Sequence, residues 1–270
     1  MTLLNLKSMP THSFLMKFNN IVVAILFLAS FLGCDESKES VEIRKLFSEK
    51  GHTLHTITIH VEAKAKYLPF LHEIQELRKL NIGGKWVTAK HIEQLSKIDQ
   101  LEEIDVKSVN LTGKELQTLG QLDNLLRLKI YNAPELDDNI FDTVANMKLT
   151  ELVITGAVKL EGVGINKLAN NKTITSLDLN GNNITDEATT TIATLSQLKR
   201  LNITHTKITE VGVRRLLVLV NLDDYQGPDL PKATAIEFAK IAIEARQKAR
   251  ADGKTTAPDN IAPYASVLEK

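Results

Sequence analysis

A short apolar phrase, L-x-x-L-x-L with Ile or Val admitted at each Leu, recurs along this chain. It begins at Leu77, Leu101, Leu125, Leu149, Ile174 and Leu198, in steps of 24, 24, 24, 25 and 24 residues. Weaker copies stand at Leu54 and Leu222. A period in this range is the signature of a solenoid. One unit is too small to bury its own apolar face, so neighbouring units have to stack and share a single continuous core.

The unit from Ile174 to Leu198 shows how the stacking works. Ser176, Asp178 and Asn180 alternate with Leu177 and Leu179, the pattern of a short strand with one buried face. Asn180-Gly181-Asn182-Asn183 is turn chemistry. Thr185 is suited to cap a helix, and Asp186 and Glu187 follow in the first turn, where the helix dipole favours acids. Ile192, Leu195 and Leu198 supply the buried stripe of that helix. Thr88, Thr112 and Thr209 hold the same cap position, with Asp137 and Glu161 as variants, and Thr112-Gly-Lys-Glu115 has the spacing of a capping box. The spacing therefore predicts a strand, a turn and a helix in every unit. Strands that recur in one order through helical crossovers must be parallel, and the crossover right-handed.

The repeats resemble the leucine-rich repeat family over about residues 54 to 227. Bacterial members carry ITD-x-G-like phrases, matched here by Ile184-Thr185-Asp186-Glu187-Ala188 and Ile208-Thr209-Glu210-Val211-Gly212. The family often places Asn three residues after the last apolar strand position. Only Asn182 fits; Lys85, Val109, Ala133, Ala157 and Thr206 stand at the other equivalent sites. The resemblance implies an α/β leucine-rich repeat solenoid, a horseshoe with a parallel concave sheet and convex helices. Amphipathic segments suited to cap it lie at both ends: residues 40–51, with Ile43, Leu46 and Phe47 on one helical face, and the Ala-rich residues 231–254. The repeats are assigned to 52–230 and a loose tail to 255–270.

The N-terminus reads as an address. Lys17 precedes the uncharged run IVVAILFLASFLG, 13 residues from Ile21 to Gly33, and Asp35-Glu36 follows Cys34. A membrane-spanning helix needs about 20 apolar residues; a short run with a basic front fits a signal peptide, here 1–33, with Met16 as a compact start. Leu32-Gly33-Cys34 resembles the lipobox of bacterial lipoproteins, and Cys34 is the only cysteine of the chain. That resemblance implies lipidation of Cys34, a tether over 34–39 spanning roughly 20 Å when stretched, and a protein held on a membrane of the bacterial cell envelope, facing periplasm or exterior.

Between the buried strand positions, side chains point out on the concave face in three columns. Lys79, Glu103, Arg127, Glu151, Ser176 and Arg200 form the first, and Asn81, Asp105, Lys129, Val153, Asp178 and Asn202 the second. The third runs Gly83, Lys107, Tyr131, Thr155, Asn180, Thr204. Tyr131 is the single aromatic among them and the natural anchor for a partner. Trp86, in a turn, either packs over the first repeats or marks a rim. The chain carries 33 basic and 33 acidic residues, so the excess cation that drives nucleic-acid binding is missing.

No constellation of residues points to catalysis. His52, His55 and His60 cluster without completing a metal-ligand set. Glu103 and Asp105 are paired acids with Lys79, Lys107 and Arg127 around them, and Gly162-Val-Gly164 lacks the lysine of a phosphate loop. The sequence thus points to a monomeric, non-catalytic module without cofactor or metal that binds a protein or peptide. The alternatives are a self-associating structural protein of the envelope or, more remotely, an enzyme with an unrecognised site.

Overall fold

The computed structural model describes residues 37–48, 54–169 and 171–255. The proposed signal peptide and Cys34 lie outside them, as do His52 and residues 256–270.

Eight strands follow one another in a single parallel sheet, ordered as in the sequence. They are β1 (Thr56–Ile59), β2 (Lys79–Gly83), β3 (Glu103–Lys107), β4 (Arg127–Tyr131), β5 (Glu151–Thr155), β6 (Ser176–Asp178), β7 (Arg200–Asn202) and β8 (Asp224–Gln226). The register leaves equivalent residues side by side: Leu80, Ile104, Leu128, Leu152, Leu177, Leu201 and Tyr225 form one interior row. The leucines of the repeated phrase are 0–1% exposed from Leu77 to Leu201, and they belong to one apolar cluster running from Ile43 to Ala242. Each such side chain contributes about 1.5–3 kcal/mol by leaving water. This is an α/β leucine-rich repeat solenoid. Strands spaced about 4.8 Å apart take less room than helices packed at 8–10 Å, so the sheet lies on the inner side of the bend.

The outer side departs from the expectation of a helix in every unit. Five α-helices flank or join the later strands: α2 (Ala89–Leu95), α3 (Ile140–Val144), α4 (Asp186–Ile192), α5 (Glu210–Leu216) and α6 (Lys232–Ala251). Near the N-terminus lies α1 (Lys38–Ser48). Residues Glu62–Glu73, Lys114–Gln121 and Val163–Leu168 instead wind as 3-10 helix. Pro69 and Gly164 sit inside two of these segments and Gly120 inside the third, and both residue types are poor in an α-helix interior. In α1, Ile43 is fully buried but Leu46 is exposed, so its apolar face is narrower than the sequence suggests.

Both ends of the array are tied down by polar contacts. Tyr67 donates to Glu42 at 2.7 Å, and Arg44 pairs with Glu76. On the other side Phe238 is buried in the shared core, Arg214 stacks on its ring at 4.8 Å, and Arg246 reaches the Leu222 carbonyl. Thr255 is buried and bonded to Asn221.

A second periodic feature lies just past the strands. Gly84, Ser108, Asn132, Gly156, Gly181 and His205 all have positive φ, at 122°, 55°, 54°, 68°, 70° and 54°. The left-handed turn lets the ladder continue beyond the strand: the Ser108 N–H donates to the Tyr131 carbonyl at 2.8 Å and the Asn132 N–H to the Thr155 carbonyl at 2.8 Å. Three of the six positions are not glycine, a conformation that costs an L-residue about 1–2 kcal/mol.

Neighbouring units are also stapled on the outer side by carboxylates. Asp186 accepts from the Thr209 N–H at 2.7 Å and from its hydroxyl at 2.6 Å. A Cβ on Gly212 would meet the same carboxylate at 2.3 Å, so a larger residue there would push the staple aside. Two units earlier, Asp138 accepts from Gly162 N–H at 2.8 Å and Gly164 N–H at 3.3 Å. The Gly-Val-Gly amides thus hold a carboxylate of their own chain.

Among the caps read from the sequence, Thr112 and Glu115 form the reciprocal box, with Thr112 N–H donating to Glu115 Oε2 at 2.9 Å. Thr209 accepts from Val211 N–H at 3.2 Å. Thr88 has the extended cap backbone, and its N–H donates to His91 Nδ1. Thr185 takes the cap conformation without a side-chain bond, and Gly162 rather than Glu161 precedes the helical turn of its unit.

Candidate partner-binding face

The strand register sets the three columns side by side as the alternation implies. Lys79, Glu103, Arg127, Glu151, Ser176 and Arg200 are neighbours in order, continuing to Asp224. Asn81, Asp105, Lys129, Val153, Asp178 and Asn202 lie beside them, and Gly83, Lys107, Tyr131 and Thr155 form the third row. Asn180 and Thr204 follow β6 and β7 and bond to one another.

The face is not evenly exposed. Glu103, Asp105 and Ser176 are 8%, 6% and 6% exposed, because longer neighbours close over them. Glu103 is the hub of the N-terminal half. Lys79 Nζ lies 2.6 Å from its Oε1 and Arg127 Nε 2.7 Å from its Oε2, with Lys129 Nζ at 3.4 Å. Lys129 also pairs with Glu151 at 3.2 Å. Lys79 and Lys107 approach Asp105 Oδ2 at 3.5 and 3.7 Å. Burial opposes the charge on Glu103, but the hydrogen bonds from Lys79 and Arg127 and the charge of Lys129 outweigh it and hold its carboxyl at about 2. Burial likewise works against the ammonium groups of Lys79 and Lys129. Their carboxylate partners prevail, and both lie above the usual lysine value. The alternating charges of the first column are therefore a connected network rather than separate surface pairs.

Tyr131 is half-buried, and Lys107 Nζ sits over its ring, 5.2 Å from the centroid. Burial, with the Asp105 charge beside it, pushes its phenol above the usual value. Beyond Tyr131 the character changes. Val153, in the second column, is buried although it lies on this face. Asp178 beside it accepts from Asn180 N–H at 2.9 Å and from Asn202 Nδ2 at 3.2 Å. Burial, reinforced by Glu151, pushes the Asp178 carboxyl above the ordinary range despite those two bonds. Arg200 Nε donates to Ser176 Oγ at 3.2 Å, and Asn202 Oδ1 accepts from Thr204.

Trp86 is half-buried and packs on the core; its ring lies edge-on to His91 at 5.3 Å and covers Gly84. It braces the second unit instead of standing free at a rim. The histidines near β1 do not converge, since His55 Nδ1 is engaged by the Glu76 carbonyl at 2.7 Å while His60 lies against Gly83. Among the described residues no group of three or more His, Cys, Asp or Glu is arranged to hold a metal ion. No described helix is long and apolar enough to cross a membrane. Sequence reasoning missed two features here, the coverage of Glu103 and Asp105 and the change of character at Val153. The apolar residue in an otherwise polar column was the signal for the second.

The arrangement is a polar inner sheet surface of the leucine-rich repeat type, cross-linked by ion pairs in its N-terminal half. Residues 170–193 match the family model described as Leucine Rich repeat. Among solved structures, an internalin from Listeria monocytogenes aligns with 17% identity and a TM-score of 0.43, over 60% of this chain and 50% of that one. TLR13 in complex with ssRNA13 aligns with 18% identity and a TM-score of 0.35, over 65% of this chain and 32% of that one. The actin-binding site 2 of leiomodin-1 aligns with 15% identity and a TM-score of 0.33, over 72% and 95%. The chain thus spans half the length of the internalin and less of TLR13. Comparison with curated proteins gives no match.

Proposed function

We propose that this protein is a non-catalytic binding module that captures a protein or peptide on its inner sheet, and that it works as a monomer anchored to a bacterial membrane by lipid on Cys34. The observation that carries the reading is the preorganised concave face. Its polar columns are held in place by the Glu103 network, and its one aromatic, Tyr131, is fixed by Lys107 at the centre of the sheet. A surface whose side chains are already ordered loses less entropy on binding, and a central aromatic is where binding energy concentrates. The lipid reading rests on the Leu32-Gly33-Cys34 sequence behind an apolar run.

Tyr131→Ala tests the first part. Cross-linked partners recovered with the wild-type protein should be lost or reduced tenfold with the variant, at an unchanged unfolding midpoint; undiminished recovery removes Tyr131 from the site. Cys34→Ser tests the second. The variant should incorporate no radiolabelled fatty acid, and persistent label rules the site out.

A further inference from the structure

The concave face supplies cations to its carboxylates in one half only. In the N-terminal half each of these acids has a partner: Glu103 has three and Asp105 two, and the half-buried Glu151 has Lys129. Asp178 has none among the described residues. Its strand neighbours in register are Val153 and Asn202, whereas Glu103 and Glu151 in the adjacent column share Lys129 as a partner. Arg200, on the next strand, is turned to Ser176, and Lys129, two strands away, is engaged by Glu103 and Glu151.

A half-buried carboxylate without a counter-ion is costly, and its most economical relief is a cation from outside. Asp178 is equipped to take one. Each of its oxygens accepts a single bond, one from Asn180 N–H and one from Asn202 Nδ2, and an ionised carboxylate has room for about four. The local amides and hydroxyls are engaged with each other, since Asn180 bonds Thr204 and Thr204 donates to Asn202. What remains unmatched is the charge. Val153, itself covered, gives an apolar edge on one side, and the half-buried Tyr131 ring, diagonally across from it, is the surface left for the stem of a long basic side chain.

We infer that Asp178, with Val153 and Tyr131, forms the subsite that receives an arginine or lysine side chain of the bound peptide or protein. The inference rests on the binding role proposed for this face and narrows it to a partner with an exposed basic residue.

The test uses the full-length protein and a displayed hexapeptide library as probe. Selected peptides are then measured singly by fluorescence polarisation. Enriched sequences should share an Arg or Lys, and replacing it by Glu should abolish binding. Asp178→Asn keeps the shape of the side chain while giving up one of its two accepted hydrogen bonds, and should weaken binding tenfold or more while still unfolding in one cooperative transition. Val153→Lys places an internal cation where Lys129 stands one strand earlier, and should weaken binding to a similar extent. Either variant suffices if the other is unstable. Enriched peptides without a basic residue, peptides that bind both folded variants as tightly as wild type, or no enrichment at all would overturn the assignment. Peptides lost with Tyr131→Ala but indifferent to Asp178→Asn would overturn the subsite and leave the binding face standing.

Discussion

Asn182 is the clearest point at which one side chain joins two units. It is 3% exposed, its Oδ1 accepts from the Ala157 N–H at 2.8 Å, and its Nδ2 donates to the Ile154 and Leu179 carbonyls at 2.7 and 2.8 Å. Asn182→Ala removes three buried hydrogen bonds. At about 1 kcal/mol net for each, with an added penalty for the N–H left unpaired, the loss is about 3–5 kcal/mol. That is a large share of the 5–15 kcal/mol typical of a folded domain. With a urea dependence near 3 kcal/mol per molar, the midpoint should fall by about 1 M or more. Equilibrium unfolding followed by circular dichroism reports the whole array, while fluorescence of Trp86, the only tryptophan, reports the N-terminal units. If the units unfold together, both probes should shift equally. If cooperativity breaks at the weakened joint, the circular dichroism transition should move and the fluorescence transition should not. Asn183→Ala, which loses a single bond from a half-buried site to the Val158 carbonyl, is the control and should cost about 1 kcal/mol or less. A loss for Asn182→Ala no greater than that of the control would refute the idea that this side chain ties the turns.

The remaining predictions concern charge and backbone. The Glu103 carboxyl is depressed from 4.5 to about 2, so its contribution to stability is present above the unfolded value and disappears as pH falls through the folded one. The gap in urea midpoint between wild type and Glu103→Gln should therefore be constant from pH 7 to about 5 and narrow toward pH 2; a gap independent of pH would contradict the network. His205 is exposed with φ of 54°, so His205→Gly should raise stability by about 0.5–1 kcal/mol, the relief of left-handed strain less the extra entropy of glycine. Gly156→Ala should lower it by about 1 kcal/mol, and thermal unfolding of both variants decides the matter.

The period of the apolar phrase made the sheet legible down to its register, because residues one repeat apart must be neighbours when units stack. It did not reveal which outer segments wind as 3-10 helix. There the apolar stripe of Leu116, Leu119 and Leu122 suits either winding, and Gly120 and the fit against the next unit decide. The left-handed column was half visible, since Gly84, Gly156 and Gly181 share one phase; Asn132 and His205 are residue types that tolerate positive φ without requiring it, and Ser108 gives no sign of it. For the candidate face, the column positions followed from alternation, but Glu103 and Asp105 had to be seen in place. Their burial is produced by long basic neighbours folding across the strands, which no periodicity encodes. Asp178 looked like any other acid in the alternation until its missing counter-ion could be compared with the well-supplied ones.

The bonds that join units, such as Thr209 to Asp186 and Asn124 to the Asp99 carbonyl, link positions 23 and 25 residues apart. No bond of this kind requires distant parts of the chain to meet. Such a protein can lengthen or shorten by whole modules, through duplication or deletion of one stretch of coding sequence, with each seam re-forming from the same local parts. Its inner surface then grows or shrinks by one strand width, about 4.8 Å, at a time, so the size of what it grips can be altered without redesigning how it folds.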